Sequence, residues 1–226
     1  MKKIPQRTAF ITGSSRGIGA AIASELRARG FRLVAPSRGE LDLEQPASIE
    51  AWLREHPAPA VDVLVNNAGV NFLQPLAELE SRTWPAMLQT NVSAPLRLIQ
   101  AFVPHMRRQR WGRILNVSSI LGFVARERRA AYSMTKAALN ALTRSAAVEF
   151  GPEGVLVNAL CPGYVETALT RQNNSSTEIA ALAASIPLQR LAQPEELARV
   201  AAFLCSEENT YLTGQMVVVD GGFTCR

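Results

Sequence analysis

The 226 residues, 47% hydrophobic and 19% charged, have the ordinary composition of a soluble globular protein and suit one large α/β domain. No apolar run approaches the length of a membrane span, and the start Met1-Lys2-Lys3-Ile4-Pro5-Gln6-Arg7 is charged, with no apolar stretch like that of a signal peptide. The net charge of +5 comes from scattered basic residues, with small clusters at Arg107-Arg108-Gln109-Arg110 and Arg126-Glu127-Arg128-Arg129. No aromatic residues interleave with these clusters, so they read as solvated faces with a modest pull on anionic ligands, and nucleic acid is not expected as a partner.

Along the chain, short apolar runs alternate with helix-length periodic segments, the pattern of a parallel sheet with helices on both faces. Strands are expected at Thr8–Thr12, Arg32–Ala35, Val61–Val65, Arg113–Val117, Val155–Leu160 and Met216–Val219. Helices are expected at Ile18–Arg29, Ala47–Arg54, Ala94–Arg108, Ala131–Phe150 and Pro194–Cys205. Asn173-Asn174-Ser175-Ser176 lies in a polar, breaker-rich region that reads as a mobile loop. No repeat is present, and residues 1–226 read as a single domain.

The first strand runs into Thr12-Gly13-Ser14-Ser15-Arg16-Gly17-Ile18-Gly19. Gly13 permits a sharp turn, Gly17 a close approach to a pyrophosphate, and Gly19 a helix seated near the strand. The helix N-terminus then offers unpaired N–H groups to phosphates. Ser15, Arg16 and Ile18 belong to the same dinucleotide cradle. The acid that usually ends the second strand and holds an unphosphorylated ribose is missing. Pro36-Ser37-Arg38 stands there, and a hydroxyl and a guanidinium suit a 2′-phosphate, with Arg16 reaching it from the glycine loop.

The third strand ends in Asn66-Asn67-Ala68-Gly69, small and amide side chains that suit backbone passing close beneath a flat ring. Asn91 opens the next long helix, where an N-cap is the simple reading. Ser118 and Ser119 end the fourth strand and serve equally well as turn formers. Tyr132 follows Ser119 by thirteen residues, and Tyr132-Ser133-Met134-Thr135-Lys136 opens a long helix. Positions i and i+4 share a helix face, so the phenol and the ammonium point the same way. A nearby cation lowers a phenol's pKa and fits it to exchange protons with a carbonyl or an alcohol.

Only two histidines, His56 and His105, are present, which argues against a His-based metal site and against a Ser-His-Asp hydrolase. The three cysteines, Cys161, Cys205 and Cys225, show no metal-ligand spacing, so no metal is expected and a reduced cytoplasm is the natural setting.

In order and spacing, the glycine loop, Asn66-Asn67-Ala68-Gly69, Asn91, Ser119, Tyr132, Lys136 and Pro162-Gly163-Tyr164-Val165-Glu166-Thr167 resemble the short-chain dehydrogenase/reductase family. The ending Tyr211-Leu212-Thr213-Gly214-Gln215 and Val219-Asp220-Gly221-Gly222 resembles it too, so the likeness covers nearly the whole chain. It is nearest to the NADPH-using, 3-oxoacyl reductase-like branch. The resemblance implies a single-domain Rossmann fold, a doubly wound parallel sheet of about seven strands. It implies that Tyr132 is the acid/base and that Lys136 lowers its pKa and binds the nicotinamide ribose. Ser119 would hold the substrate carbonyl oxygen, which selects it over Ser118, a support for the turn. Asn91 would hold a water linking Lys136 to solvent. Asn67, Ala68, Gly69, Pro162, Gly163 and Val165 would contact the cofactor, Thr167 its carboxamide, and Asp42 its adenine. The expected cofactor is NADP(H) in preference to NAD(H), the partner a small carbonyl or alcohol substrate, and the assembly a homotetramer or dimer.

Two features depart from the family pattern. Only three residues separate Arg38 from Asp42, where the family has a helix of about four turns, so the adenine side is trimmed. Reductases that act on acyl carrier protein carry an arginine before the glycine leading into the next strand, whereas Glu153 stands before Gly154 here. An acid there would repel an acidic carrier, which puts a carrier-bound substrate in doubt. The chain therefore reads as an NADPH-dependent carbonyl reductase or the reverse alcohol dehydrogenase. The alternatives are a 3-oxoacyl thioester reductase and a dinucleotide-binding sensor or scaffold without turnover. Leu121, Phe123 and the segment from Ala168 to Arg190 would shape the substrate pocket, with apolar character that suggests a substrate that is not highly charged.

Overall fold

The computed structural model describes residues 6–56 and 60–225; residues 1–5, most of the charged start, lie outside them. In chain order it contains β1 (Thr8–Ile11), α1 (Gly17–Ala28), β2 (Arg32–Val34), α2 (Pro46–Glu55), β3 (Val63–Asn66), α3 (Thr83–Leu88) and α4 (Ala94–Gln109). Then follow β4 (Gly112–Val117), α5 (Ala130–Phe150), β5 (Val155–Pro162), α6 (Ala168–Gln172), α7 (Ser176–Ser185), α8 (Pro194–Leu204) and β6 (Met216–Val219). All strand pairs are parallel, in the order β2-β1-β3-β4-β5-β6.

Successive strand residues face opposite sides of a sheet, and both sides are apolar here. Phe10, Leu64, Ile114 and Val157 point to one face and pack with Trp52 of α2, Leu98, Phe102 and Met106 of α4 and Phe150 of α5. Ile11, Val65, Leu115 and Leu160 point to the other and meet Ile22 and Leu26 of α1 and Leu197 and Ala201 of α8. Each fully buried side chain of this size contributes about 1.5–3 kcal/mol. Parallel strands with helices on both faces bring the strands' carboxyl ends to one edge. The sheet reverses its order there, between β1 and β3, and a crevice opens.

Three expectations differ from the structure. The sheet has six strands rather than seven. Residues 35–45 are too few to form a crossover helix and return as another strand, so β2 is an edge. Leu41 and Leu43 still reach the core, while Asp42 between them faces the crevice. Asn173-Asn174-Ser175-Ser176 is not an open loop but the junction of α6 and α7. Ser175 and Glu178 form a reciprocal capping box, with the Glu178 N–H donating to Ser175 Oγ at 3.3 Å and the Ser175 N–H donating to Glu178 Oε2 at 2.7 Å.

Asn91 is not an N-cap either. It lies inside a π-turn, Gln89–Ser93, that joins α3 to α4 without a break. Pro95 has no N–H to offer the Asn91 carbonyl, so the helix widens just before it.

Candidate active site

The crevice is a cleft of about 650 Å³ running from the β2 end of the sheet to α5 and α6. Every catalytic and cofactor residue expected from the sequence lines it except Asn91, and of the residues expected to shape the substrate pocket Leu121 lines it while Phe123 is exposed outside it.

The glycine loop is held from beneath. Gly13 has a positive φ of 65°, and a Cβ there would lie 2.9 Å from the Ala68 Cα. A Cβ on Gly19 would lie 2.2 Å from the Gly13 carbonyl oxygen and 2.3 Å from Asn67 Nδ2. Asn67 is thus less a ring contact than a brace: its Nδ2 donates to the carbonyls of Thr12 and Gly13, each at 3.0 Å. Thr12, which sequence reasoning passed over, accepts from the N–H groups of Asn67 and Ala68 through its hydroxyl, both at 3.0 Å. Glycine at 13 and 19 thus lets the loop seat closely on the end of β3, and the N-terminus of α1 beside it fits a dinucleotide pyrophosphate. Thr167 packs beside Gly17 and caps α6, accepting from the Thr170 N–H at 3.3 Å.

At the ribose end the acid is missing from the end of the second strand, but other acids meet Ser37 and Arg38. The trimmed loop folds Glu40 back, and its Oε2 accepts from the Ser37 N–H at 2.7 Å and from the Ser37 hydroxyl at 2.8 Å. Arg38 pairs with Glu44 at 2.9 Å and with Asp42 at 3.5 Å. Arg16 forms no ion pair among the described residues.

At the other end, Ser119 closes β4 and its hydroxyl accepts from the Leu121 N–H at 3.1 Å. The 3-10 turn Ile120–Gly122 that follows lies flat on α5. A Cβ on Gly122 would stand 2.6 Å from Asn140 Nδ2 and 3.2 Å from the Lys136 carbonyl carbon, so a side chain there would have to displace Asn140 or the turn that carries Ser119. The Ser118 hydroxyl donates to the Lys136 carbonyl at 3.3 Å, which ties the end of β4 to α5. Lys136 is buried, donates from Nζ to the Val117 carbonyl at 2.8 Å, and lies 5.4 Å from the centre of the Tyr132 ring.

Asn91 stands behind the cleft, 1% exposed. Its Oδ1 accepts from the Val70 N–H at 2.9 Å, and its Nδ2 donates to the Val70 carbonyl at 2.9 Å and to Thr135 Oγ1 at 3.1 Å. Both donors are engaged by protein, so this side chain ties the β3 loop to α5 rather than reaching into the cleft.

The electrostatics differ from the sequence reading. Burial pushes the Tyr132 phenol up to about 12, and the facing Ser119 hydroxyl and the Arg129 charge pull it back only in part. Burial also brings the Lys136 ammonium down to about 8. Sequence spacing put Lys136 beside Tyr132 but gave no measure of the desolvation that both suffer. In the ligand-free protein the phenol is therefore a proton donor at neutral pH.

The clusters read as solvated faces also split. Arg126 and Arg129 line the cleft beside Tyr132, whereas Glu127 and Arg128 are exposed. The signal was present in the sequence, since Arg129 precedes Tyr132 by three positions and i, i+3 residues share a helix face. Among the described residues no group of three or more His, Cys, Asp or Glu side chains is placed to hold a metal.

Comparison with known proteins shows the family and the fold. A family profile described as enoyl-(acyl carrier protein) reductase matches residues 35–224. The 3-oxoacyl-(acyl-carrier-protein) reductase FabG of Vibrio cholerae is 36% identical, with 96% of each chain covered. The chain belongs to the short-chain dehydrogenase/reductase family. Among solved structures, a putative NAD(P)-dependent gluconate 5-dehydrogenase from Beutenbergia cavernae with bound NADP superposes with a TM-score of 0.92 at 35% identity, covering 97% of both chains. A gluconate 5-dehydrogenase from Burkholderia cenocepacia, in complex with NADP and tartrate, superposes at 0.89 with 30% identity, covering 99% of this chain and 97% of that one. As a family member the chain is an oxidoreductase of CH–OH and C=O groups that uses a nicotinamide dinucleotide.

Proposed function

We propose that this chain is an NADPH-dependent carbonyl reductase, or the reverse alcohol dehydrogenase, with cofactor and substrate sites in one domain. The observation that carries the reading is the convergence of Ser119, Tyr132 and Lys136 at the carboxyl end of β4, at one end of a cleft whose other end is the glycine cradle. Gly13, Gly17 and the α1 N-terminus would hold the pyrophosphate, Lys136 and Tyr132 the nicotinamide ribose, and Thr167 the carboxamide. A nicotinamide dinucleotide bound there supplies the hydride for the carbonyl carbon, or takes it from the alcohol carbon. Ser119 donates a hydrogen bond to the carbonyl oxygen where negative charge develops. Tyr132, protonated at neutral pH, gives its proton to that oxygen. Asn91 is a positioning residue that holds the Val70 loop against α5.

Preference for NADPH rests on Arg16 and Arg38. The Arg38 pair with Glu44 is exposed (73% for the arginine side chain), so it is worth at most about 1 kcal/mol and yields to a doubly charged phosphate. Glu40 on Ser37 works against the preference and moderates it. Three free cysteines suit a reducing cytoplasm, and no described helix is long and apolar enough to cross a membrane. Exposed apolar side chains on α4 (Leu96), α5 (Met134, Val148) and β6 (Val218) suit the proposed homotetramer or dimer.

A second reading, a 3-oxoacyl thioester reductase, gains from the likeness to FabG. The acid that argued against a carrier is neutralised, because Glu153 is ion-paired with Arg107 at the basic end of α4.

The test is NADPH- and NADH-linked turnover of simple diketones by wild type and Arg38→Ala. Turnover is expected, with the Michaelis constant for NADPH rising about tenfold in the variant and that for NADH little changed. Binding of either dinucleotide without turnover of these diketones or of short oxo acids would favour a sensor or scaffold.

A further inference from the structure

Among the side chains lining the cleft, Arg129 stands out because nothing in the protein accounts for its charge. The residue is 7% exposed and lines the cleft, yet its guanidinium makes no hydrogen bond or ion pair among the described residues. The groups whose charge acts on it are Arg126, Tyr164, Tyr132 and Arg128, and no acid is among them. Glu178 feels Arg126 and Arg128, but its carboxylate is spent on the Ser175 cap. A guanidinium does not escape burial by losing its proton, so a buried one without a counter-ion is costly and is retained where an anion arrives.

We infer that Arg129 binds a carboxylate of the substrate, so that the substrate is a small oxo acid or hydroxy acid rather than a neutral ketone or alcohol. This rests on the hydride-transfer reading of the same cleft. Arg129 sits at the N-cap of α5, one turn before Tyr132, where the helix N-terminus adds its own positive potential. Arg126 also lines the cleft, but its Nη1 lies 3.4 Å from the Tyr164 phenol oxygen, and it adds positive field there. Arg129 has no such partner, which keeps its planar guanidinium fork free for a carboxylate. With the carboxylate there and the carbonyl oxygen on Ser119 and Tyr132, the reacting carbon is fixed from two sides. A charged substrate departs from the expectation of one without strong charge, drawn from Leu121, Phe123 and the segment from Ala168 to Arg190.

The test compares kcat/KM for short 2- and 3-oxo acids with their methyl esters and with a phosphorylated ketone, using both dinucleotides, in wild type, Arg129→Gln and Arg129→Lys. Wild type is expected to favour acid over ester by about ten- to a hundredfold, the range for hydrogen bonds to a charged group. Arg129→Gln should collapse that ratio and Arg129→Lys should keep part of it. Acids and esters turned over equally by wild type would overturn the inference while leaving the reductase reading intact, and this comparison needs no variant to fold. Preference for the phosphorylated ketone would overturn the carboxylate assignment. No turnover of any of them with either dinucleotide would contradict the reductase reading and the inference with it.

Discussion

Lys136 is a buried ammonium whose pKa burial lowers from 10.5 to about 8. Between those values the unfolded chain binds more protons than the folded one, so the contribution of this residue to stability rises with pH across that window. Tyr132 behaves oppositely. Its folded pKa of about 12 lies above the ordinary 10, so its contribution is intact below 10 and is lost as pH climbs to 12. Subtracting Lys136→Met from wild type isolates the lysine. The difference in Tm, wild type minus variant, is predicted to grow by several degrees from pH 7 to pH 10 in calorimetry of the free protein. A difference that does not change with pH would contradict the burial argument. The variant should also bind NADPH more weakly and turn over slowly.

The elements that mattered most were legible because each carries a periodic or capping signal. The glycine loop, Tyr132 and Lys136 could be placed because strand–turn–helix order fixes where they emerge, whereas only the family resemblance selected Ser119 over Ser118. What escaped depended on facing surfaces. Asn91 looked like a cap until Pro95 and the π-turn gave it another partner, and Ser175-x-x-Glu178 was a capping box read as loop because asparagines preceded it. Gly122 escaped altogether, since only the packing of its turn on α5 shows that a side chain has no room. Gly122→Ala would push a methyl group into Asn140 and the Lys136 backbone and lift Ser119 away from Tyr132. The predicted cost is about 10²-fold in kcat with NADPH affinity nearly unchanged, measured by steady-state turnover beside cofactor fluorescence titration. A kcat within twofold of wild type would refute this role of the turn.

At the scale of the whole molecule, composition and alternation gave the layered α/β architecture, and the shortened segment after β2 explains the missing strand. The charge pattern was the least legible property. The same scattered arginines serve as surface charge at Arg128, as a neutralised pair at Arg107, and as cleft lining at Arg126 and Arg129; only the fold separates those uses. Apolar exposure on α4, α5 and β6 predicts a homotetramer or dimer in light scattering at micromolar concentration; a monomer would contradict it. The central claim, that Tyr132 passes the proton which accompanies hydride transfer, is tested most directly by Tyr132→Phe. Turnover and NADPH affinity are to be measured side by side. The account predicts a fall in kcat of about 10²–10⁴-fold with cofactor binding nearly intact. A Tyr132→Phe protein that keeps most of its turnover on the true substrate would contradict it.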